Sequence, residues 1–256
     1  MFVACSTLCF ARQPLESALR QIAELEFDKF ELALVEDGNH LRPSEAGDDP
    51  EGALHRLRSG PSLIPSSLYI DFGPVDWFDP ITRKRFDGLC RLAKLLSVAV
   101  LTIHASPAGT PISEEVKRLS PLVNTTMREG LVLALLTHAQ TLTGDPATAV
   151  ELCELVPGLG LTVDPSHFHQ GPNPQIDYDP VFRYAQNVHL RDTGMAPGEF
   201  QVRVGQGQID YARIVTQLQR FGYNRSLTVA IIDQPDYPFD REVELRKLKL
   251  LLETLI

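Results

Sequence analysis

No apolar run in the 256-residue sequence approaches the roughly 18 residues that a membrane helix requires, so none of it reads as a bilayer span. Its four cysteines, Cys5, Cys9, Cys90 and Cys153, form no CxxC pair and have no histidine at zinc-finger spacing. Reduced, mostly buried thiols in a cytoplasmic protein are therefore expected. Basic residues are in the minority: 24 Lys and Arg stand against 33 Asp and Glu, for a net charge of -9, and the acids are spread along the chain. That balance argues against nucleic acid and anionic membranes as partners while leaving room for a local phosphate pocket. Met1 to Phe10 is apolar but lacks the basic n-region of a secretory leader, and it reads as a first strand. The absence of GxGxxG after that strand counts against an open dinucleotide-binding sheet. Without a linker or composition break, residues 1–256 read as a single domain.

What the chain does contain is a regular alternation of short β-type runs and helical patterns. Strands are expected at Phe2–Ser6, Phe30–Val35, Leu68–Asp71, Val98–His104, Leu131–Leu136, Leu159–Asp164, Asn187–Leu190 and Leu227–Ile232. Between them, apolar residues at helical spacing mark helices such as Leu15–Leu25, Pro80–Leu96, Ser113–Glu129, Pro146–Leu155, Ile209–Phe221 and Arg241–Ile256, the last capped by Asp240. Glu36 to Pro50 reads as a polar connection, and a short helix is expected near Pro180–Ala185. Eight such units in about 250 residues match a (β/α)8 TIM barrel, the fold class expected here.

In that fold the chemistry sits at the carboxyl ends of the strands. Those ends carry Glu36, Asp71, His104, Asp164, His189 and Asp192, with His167 just beyond. Asp164 and His189, with His167 nearby, have the atom types to hold a divalent ion such as Mn, Mg, Zn or Co. The alternative is that Asp164 caps the next helix while the histidines are satisfied wall residues. The glycines of Arg203-Val204-Gly205-Gln206-Gly207-Gln208 could bring backbone amides close to a phosphate, and a plain loop is the competing reading.

The pieces Leu133-Ala134-Leu135-Leu136-Thr137-His138, Leu161-Thr162-Val163-Asp164-Pro165-Ser166-His167-Phe168, Val188-His189-Leu190-Arg191-Asp192, Val204 to Tyr211 and Leu227-Thr228-Val229-Ala230 follow one another in a telling order and spacing. Together they resemble the xylose-isomerase-like barrels of sugar and sugar phosphate isomerases and epimerases, DPSHF and VHLRD being the most specific parts. The resemblance implies a divalent metal held by Glu, Asp, His and Glu, with the two glutamates moving a proton between sugar carbons. The Asp falls on Asp164, the His on His189 and a substrate-side histidine on His167, but the two glutamate positions hold Leu136 and Ala230. Neither side chain can carry a proton, and half of the metal's donors are gone.

The resulting expectation is a small-molecule carbohydrate site with a weak or degenerate metal centre. Asp164, His189 and His167 are its metal candidates, and His167 and His189 its proton carriers, since histidine titrates near neutrality. His104, His138, Arg191 and Asp192 are expected to contact substrate. Asp233, Glu36, Asp192 and His138 are candidate replacements for the lost glutamates, Glu31 is expected to support the barrel, and His40 to lie in a surface turn. A non-catalytic carbohydrate-binding or interaction protein is the competing class. His104, Asp164, His167 and His189 also echo part of the metal cluster of a related barrel that nicks DNA at abasic sites, a reading the acidic balance disfavours. Assembly into a homo-oligomer stays open at this level.

Overall fold

The structure is a computed structural model that describes residues 1–235 and 237–256. Alternation within each strand sorts the side chains. In β2 (Lys29–Val35), Leu32 and Leu34 join the large outer core beneath the helices, whereas Ala33 turns inward with Tyr69 and Leu136. The same period of two runs through β1 (Phe2–Ser6), β3 (Ile64–Asp71), β4 (Val100–His104), β5 (Val132–Leu136), β6 (Gly160–Val163), β7 (Ala185–Leu190) and β8 (Ser226–Val229). All eight are parallel and close in sequence order, β1 pairing with β8, so the expected (β/α)8 barrel is what forms.

The helices on the outside are α1 (Leu15–Glu24), α2 (Pro43–Asp48), α3 (Pro50–Arg58), α4 (Pro80–Leu95), α5 (Ile112–Arg128), α6 (Pro146–Leu155), α7 (Pro165–His169), α8 (Tyr211–Arg220) and α9 (Arg241–Leu255). Aspartates start most of them: Asp49, Asp79, Asp145, Asp164, Asp210 and Asp240 each accept a first-turn backbone N–H. Each cap satisfies a donor that the helix itself cannot.

Several boundaries differ from the sequence expectation for local reasons. Helix α2 lies inside the segment expected to be a polar connection. Its start is held from outside by Glu36, whose carboxylate accepts from Ser44 N at 3.1 Å and Ser44 Oγ at 2.5 Å. Strand β3 begins four residues early, at Ile64, because a bulge opposite Phe30 and Glu31 accommodates Pro65, and Ser66 Oγ reaches the Phe30 carbonyl at 3.0 Å. Residues Asp179–Tyr184 form a 3-10 turn, not an α-helix. β8 stops at Val229 because Ile232 N turns to the side chain of Gln201. No described helix is long and apolar enough to cross a membrane.

Candidate functional site

Beneath the strand ends the barrel interior is polar. Glu31 is fully buried and accepts hydrogen bonds from Ser6 Oγ at 3.0 Å, Ser67 Oγ at 3.0 Å and Asn187 Nδ2 at 2.7 Å. His189 Nε2 lies 2.9 Å from the same carboxylate. Burial alone would raise the Glu31 carboxyl and lower the His189 imidazole; their mutual attraction and the hydroxyl donors outweigh it, so Glu31 is lowered and His189 raised. The pair, in which each partner favours the charged form of the other, forms the floor of the site. Glu31 thus supports the barrel as expected, and it engages Nε2 of His189, leaving Nδ1 outside the pair.

Above this floor opens a cavity of about 300 Å³ lined by Leu8, Tyr69, His104, Leu136, His138, Gln140, Asp164, His167, His189, Arg191, Phe200, Gln201, Ala230, Ile232 and Gln234. That size lies at the small end of the roughly 300–1,000 Å³ of typical ligand sites. Leu136 and Ala230 are both in its wall, 5% and 1% exposed, so the two substituted positions do face the site.

Asp164 is the central carboxylate, and both its oxygens are engaged. Oδ1 accepts from Ser166 N at 3.0 Å and Ser166 Oγ at 2.5 Å, while Oδ2 lies 3.0 Å from Arg191 Nη2. Burial would raise this acid, but the guanidinium and its other partners hold it below the ordinary carboxylate range. Arg191, 3% exposed, also donates from Nε to Ser166 Oγ at 2.9 Å and from Nη2 to His167 Nε2 at 3.0 Å. His167 must therefore carry its proton on Nδ1, which is buried without a partner. The helix-cap and pocket readings of Asp164 are both realised in one side chain.

The remaining histidines form a band with two aromatic rings. Tyr69 and His104 meet edge to face at 5.6 Å, His104 and His138 at 5.3 Å, His138 and His167 lie 4.2 Å apart, and His167 and Phe200 5.1 Å. Tyr69 Oη contacts His104 Nε2 at 2.6 Å, and Gln140 N donates to His138 Nδ1 at 3.3 Å, which leaves the His138 proton on Nε2. Burial pushes His104 down, His138 to about 4 and His167 to about 3, with the nearby Arg191 charge adding to the effect on the last two. His167 was expected to titrate near neutrality; it does not, because a desolvated imidazole beside a guanidinium resists protonation.

Asp192 does not line the cavity. It accepts from Thr193 N at 3.0 Å, Gly205 N at 2.8 Å, Gly207 N at 3.0 Å and Ile209 N at 3.3 Å. The glycine loop considered as a phosphate cradle thus wraps a carboxylate of the protein itself. The other acidic candidate replacements are also committed, Asp233 pairing with Arg12 at 2.8 Å and with Arg241, and Glu36 holding α2, whereas His138 lines the cavity. Asp71 caps its own turn at Gly73 N, 2.8 Å away, and His40 is buried with Nε2 3.2 Å from the Phe10 carbonyl. Sequence reasoning missed Leu8, Tyr69, Gln140, Phe200, Gln201, Ile232 and Gln234. Only Tyr69 carried a signal, since alternation with Leu68 and Ile70 turns it inward.

A divalent ion does not fit these donors. Asp164 and His167 have lone pairs committed to Ser166 and Arg191, His189 Nε2 donates to Glu31, and among the described residues no group of three His, Cys, Asp or Glu side chains is placed to hold a metal.

Residues 19–251 match the model of the xylose isomerase-like TIM barrel family. The chain belongs to that family. Solved structures similar to it include a D-tagatose 3-epimerase-like protein, 20% identical over 100% of this chain and 98% of that one, with a TM-score of 0.71. Another is a xylose isomerase-like TIM barrel protein from Mycobacterium smegmatis in complex with magnesium, 16% identical over 99% and 97%, TM-score 0.75. A third is the probable 3-DHS dehydratase of petrobactin synthesis from Bacillus anthracis, 16% identical over 99% of each chain, TM-score 0.74. At these identities the likeness speaks for the fold alone, and no curated protein matches the sequence.

Proposed function

We infer that this family member binds an uncharged carbohydrate or polyol in the barrel mouth and does not run metal-dependent proton transfer on it. The observation that carries this reading is the state of Asp164, the one carboxylate among the described residues that lines the cavity, whose two oxygens are taken by Ser166 and Arg191. Proton abstraction beside a carbonyl needs a base that can reach the carbon, and Leu136 and Ala230 supply none. His138 at about 4 and His167 at about 3 are weak bases.

The charges favour a neutral ligand. Asp164 faces Arg191 and Glu31 faces His189, so both of these acids are already paired. Besides Nη1 of the already paired Arg191, what remains for a ligand is a set of neutral donors and acceptors on Tyr69, His104, His138, Gln140 and Gln234, with Leu8, Leu136, Phe200 and Ile232 offering apolar contact. That mixture suits hydroxyl groups and a sugar face, and the glycine loop that might have held a phosphate is filled by Asp192.

Isothermal calorimetry in EDTA against uncharged ketoses and polyols, each paired with its phosphorylated form, tests this reading. At least one uncharged sugar is expected to bind about tenfold or more tighter than its phosphate, a difference of about 1.4 kcal/mol, with no dependence on EDTA. Tighter binding of the phosphates, or loss of binding in EDTA, would overturn it.

A further inference from the structure

We propose that the Arg191 guanidinium has taken over the place of the divalent cation and is the permanent electropositive centre of the cavity. The inference concerns Asp164 and Arg191 alone and stands whatever ligand the cavity holds. Asp164 and His167 are two of the three residues that the sequence offers to a metal, and both point their lone pairs at the same Nη2, at 3.0 Å each. The third, His189, is drawn down to Glu31 at 2.9 Å. One positive group therefore collects two of the three donors that the sequence offers to a metal.

Charge and geometry make the replacement self-consistent. With Leu136 and Ala230 in the wall, Asp164 is the one carboxylate among the described lining residues, and a monocation neutralises it. A divalent ion would leave an uncompensated charge against apolar walls, which is costly away from water. Arginine suits the role better than lysine because its planar fork lets Nε bond Ser166 while Nη2 serves Asp164 and His167. These bonds use Nε and Nη2 and leave Nη1 to present N–H groups to a ligand oxygen.

The test is Mn binding followed by electron paramagnetic resonance in four proteins: the wild type, Arg191→Met, Leu136→Glu/Ala230→Glu, and the triple variant combining all three changes. The wild type is expected to leave Mn free, and the triple variant to bind it about 10-fold or more tightly than the double variant, because only removal of the guanidinium frees Asp164 and His167. Equal Mn affinity in the double and triple variants would overturn the proposal, as would micromolar binding by the wild type. A second measurement needs no folded variant: the ¹⁵N signal of the Arg191 guanidinium in the wild-type protein, followed as Mn is added. An unbroadened signal is expected, and selective broadening would place the metal beside Arg191 and contradict the replacement.

Discussion

Arg191 Nη2 and Asp164 Oδ2 are 3.0 Å apart, with the two side chains only 3% and 2% exposed, so the carboxylate at the barrel mouth is neutralised by a charge of the protein itself. Breaking it from one side leaves a buried charge. Arg191→Met should destabilise the fold by about 3–5 kcal/mol in urea unfolding. Asp164→Asn/Arg191→Met, which removes both charges, should recover much of that loss; a double variant no more stable than the single one would show that the pair is not the source.

The Glu31–His189 pair should behave similarly one layer deeper. Glu31→Gln removes the charge that raises His189 and replaces one acceptor oxygen by a donor facing Ser6, Ser67 and Asn187. The His189 imidazole should then titrate lower than in the wild type, as read by NMR, and stability should fall by about 3–5 kcal/mol. An unchanged His189 titration would mean that Glu31 does not set its charge.

Acid should weaken the fold in a defined window. His138 and His167 sit at about 4 and about 3 in the folded chain against an ordinary 6.5. The unfolded chain therefore binds more protons between those values, and stability rises with pH there. Their contribution is present in full above about 6.5 and drains away as pH falls towards 4. Urea midpoints measured from pH 7 to 4 should decline, and His167→Gln should flatten the decline. A pH-independent midpoint in the wild type would contradict the burial of neutral histidines.

Gly207 is required by its neighbours. A Cβ there would lie 2.1 Å from Asp192 Oδ1 and 2.4 Å from the Thr193 carbonyl oxygen. Gly207→Ala should therefore loosen the wrapping of Asp192, costing about 1–3 kcal/mol and speeding amide exchange across residues 203–209.

The barrel was legible because parallel strands covered on both faces write themselves as short apolar runs, and Asp164, His189, Leu136 and Ala230 sit at the ends of such runs. Their placement around one cavity followed from the fold. What the sequence hid was which partner each polar atom would choose. Glu31 and His189 are separated by 158 positions, and nothing local marks them as a pair. Asp192 reads like a pocket residue, yet the backbone turns its carboxylate to four amides instead. Gln201, Phe200 and Gln234 come from loops without periodicity, so alternation could not assign them a face. Helix α2 was obscured because the group that holds its first turn, Glu36, lies outside it.

Deuterium incorporation beside the carbonyl of a ketose, followed by NMR in heavy water with the sugar that binds best in calorimetry, bears most directly on the central claim. With Asp164 tied to Arg191, and leucine and alanine where proton-carrying glutamates are expected, no protein-dependent incorporation should occur, with or without added Mn. Incorporation that depends on the protein, above all if Mn accelerates it, would contradict the account and restore this chain to the proton-transferring members of its family.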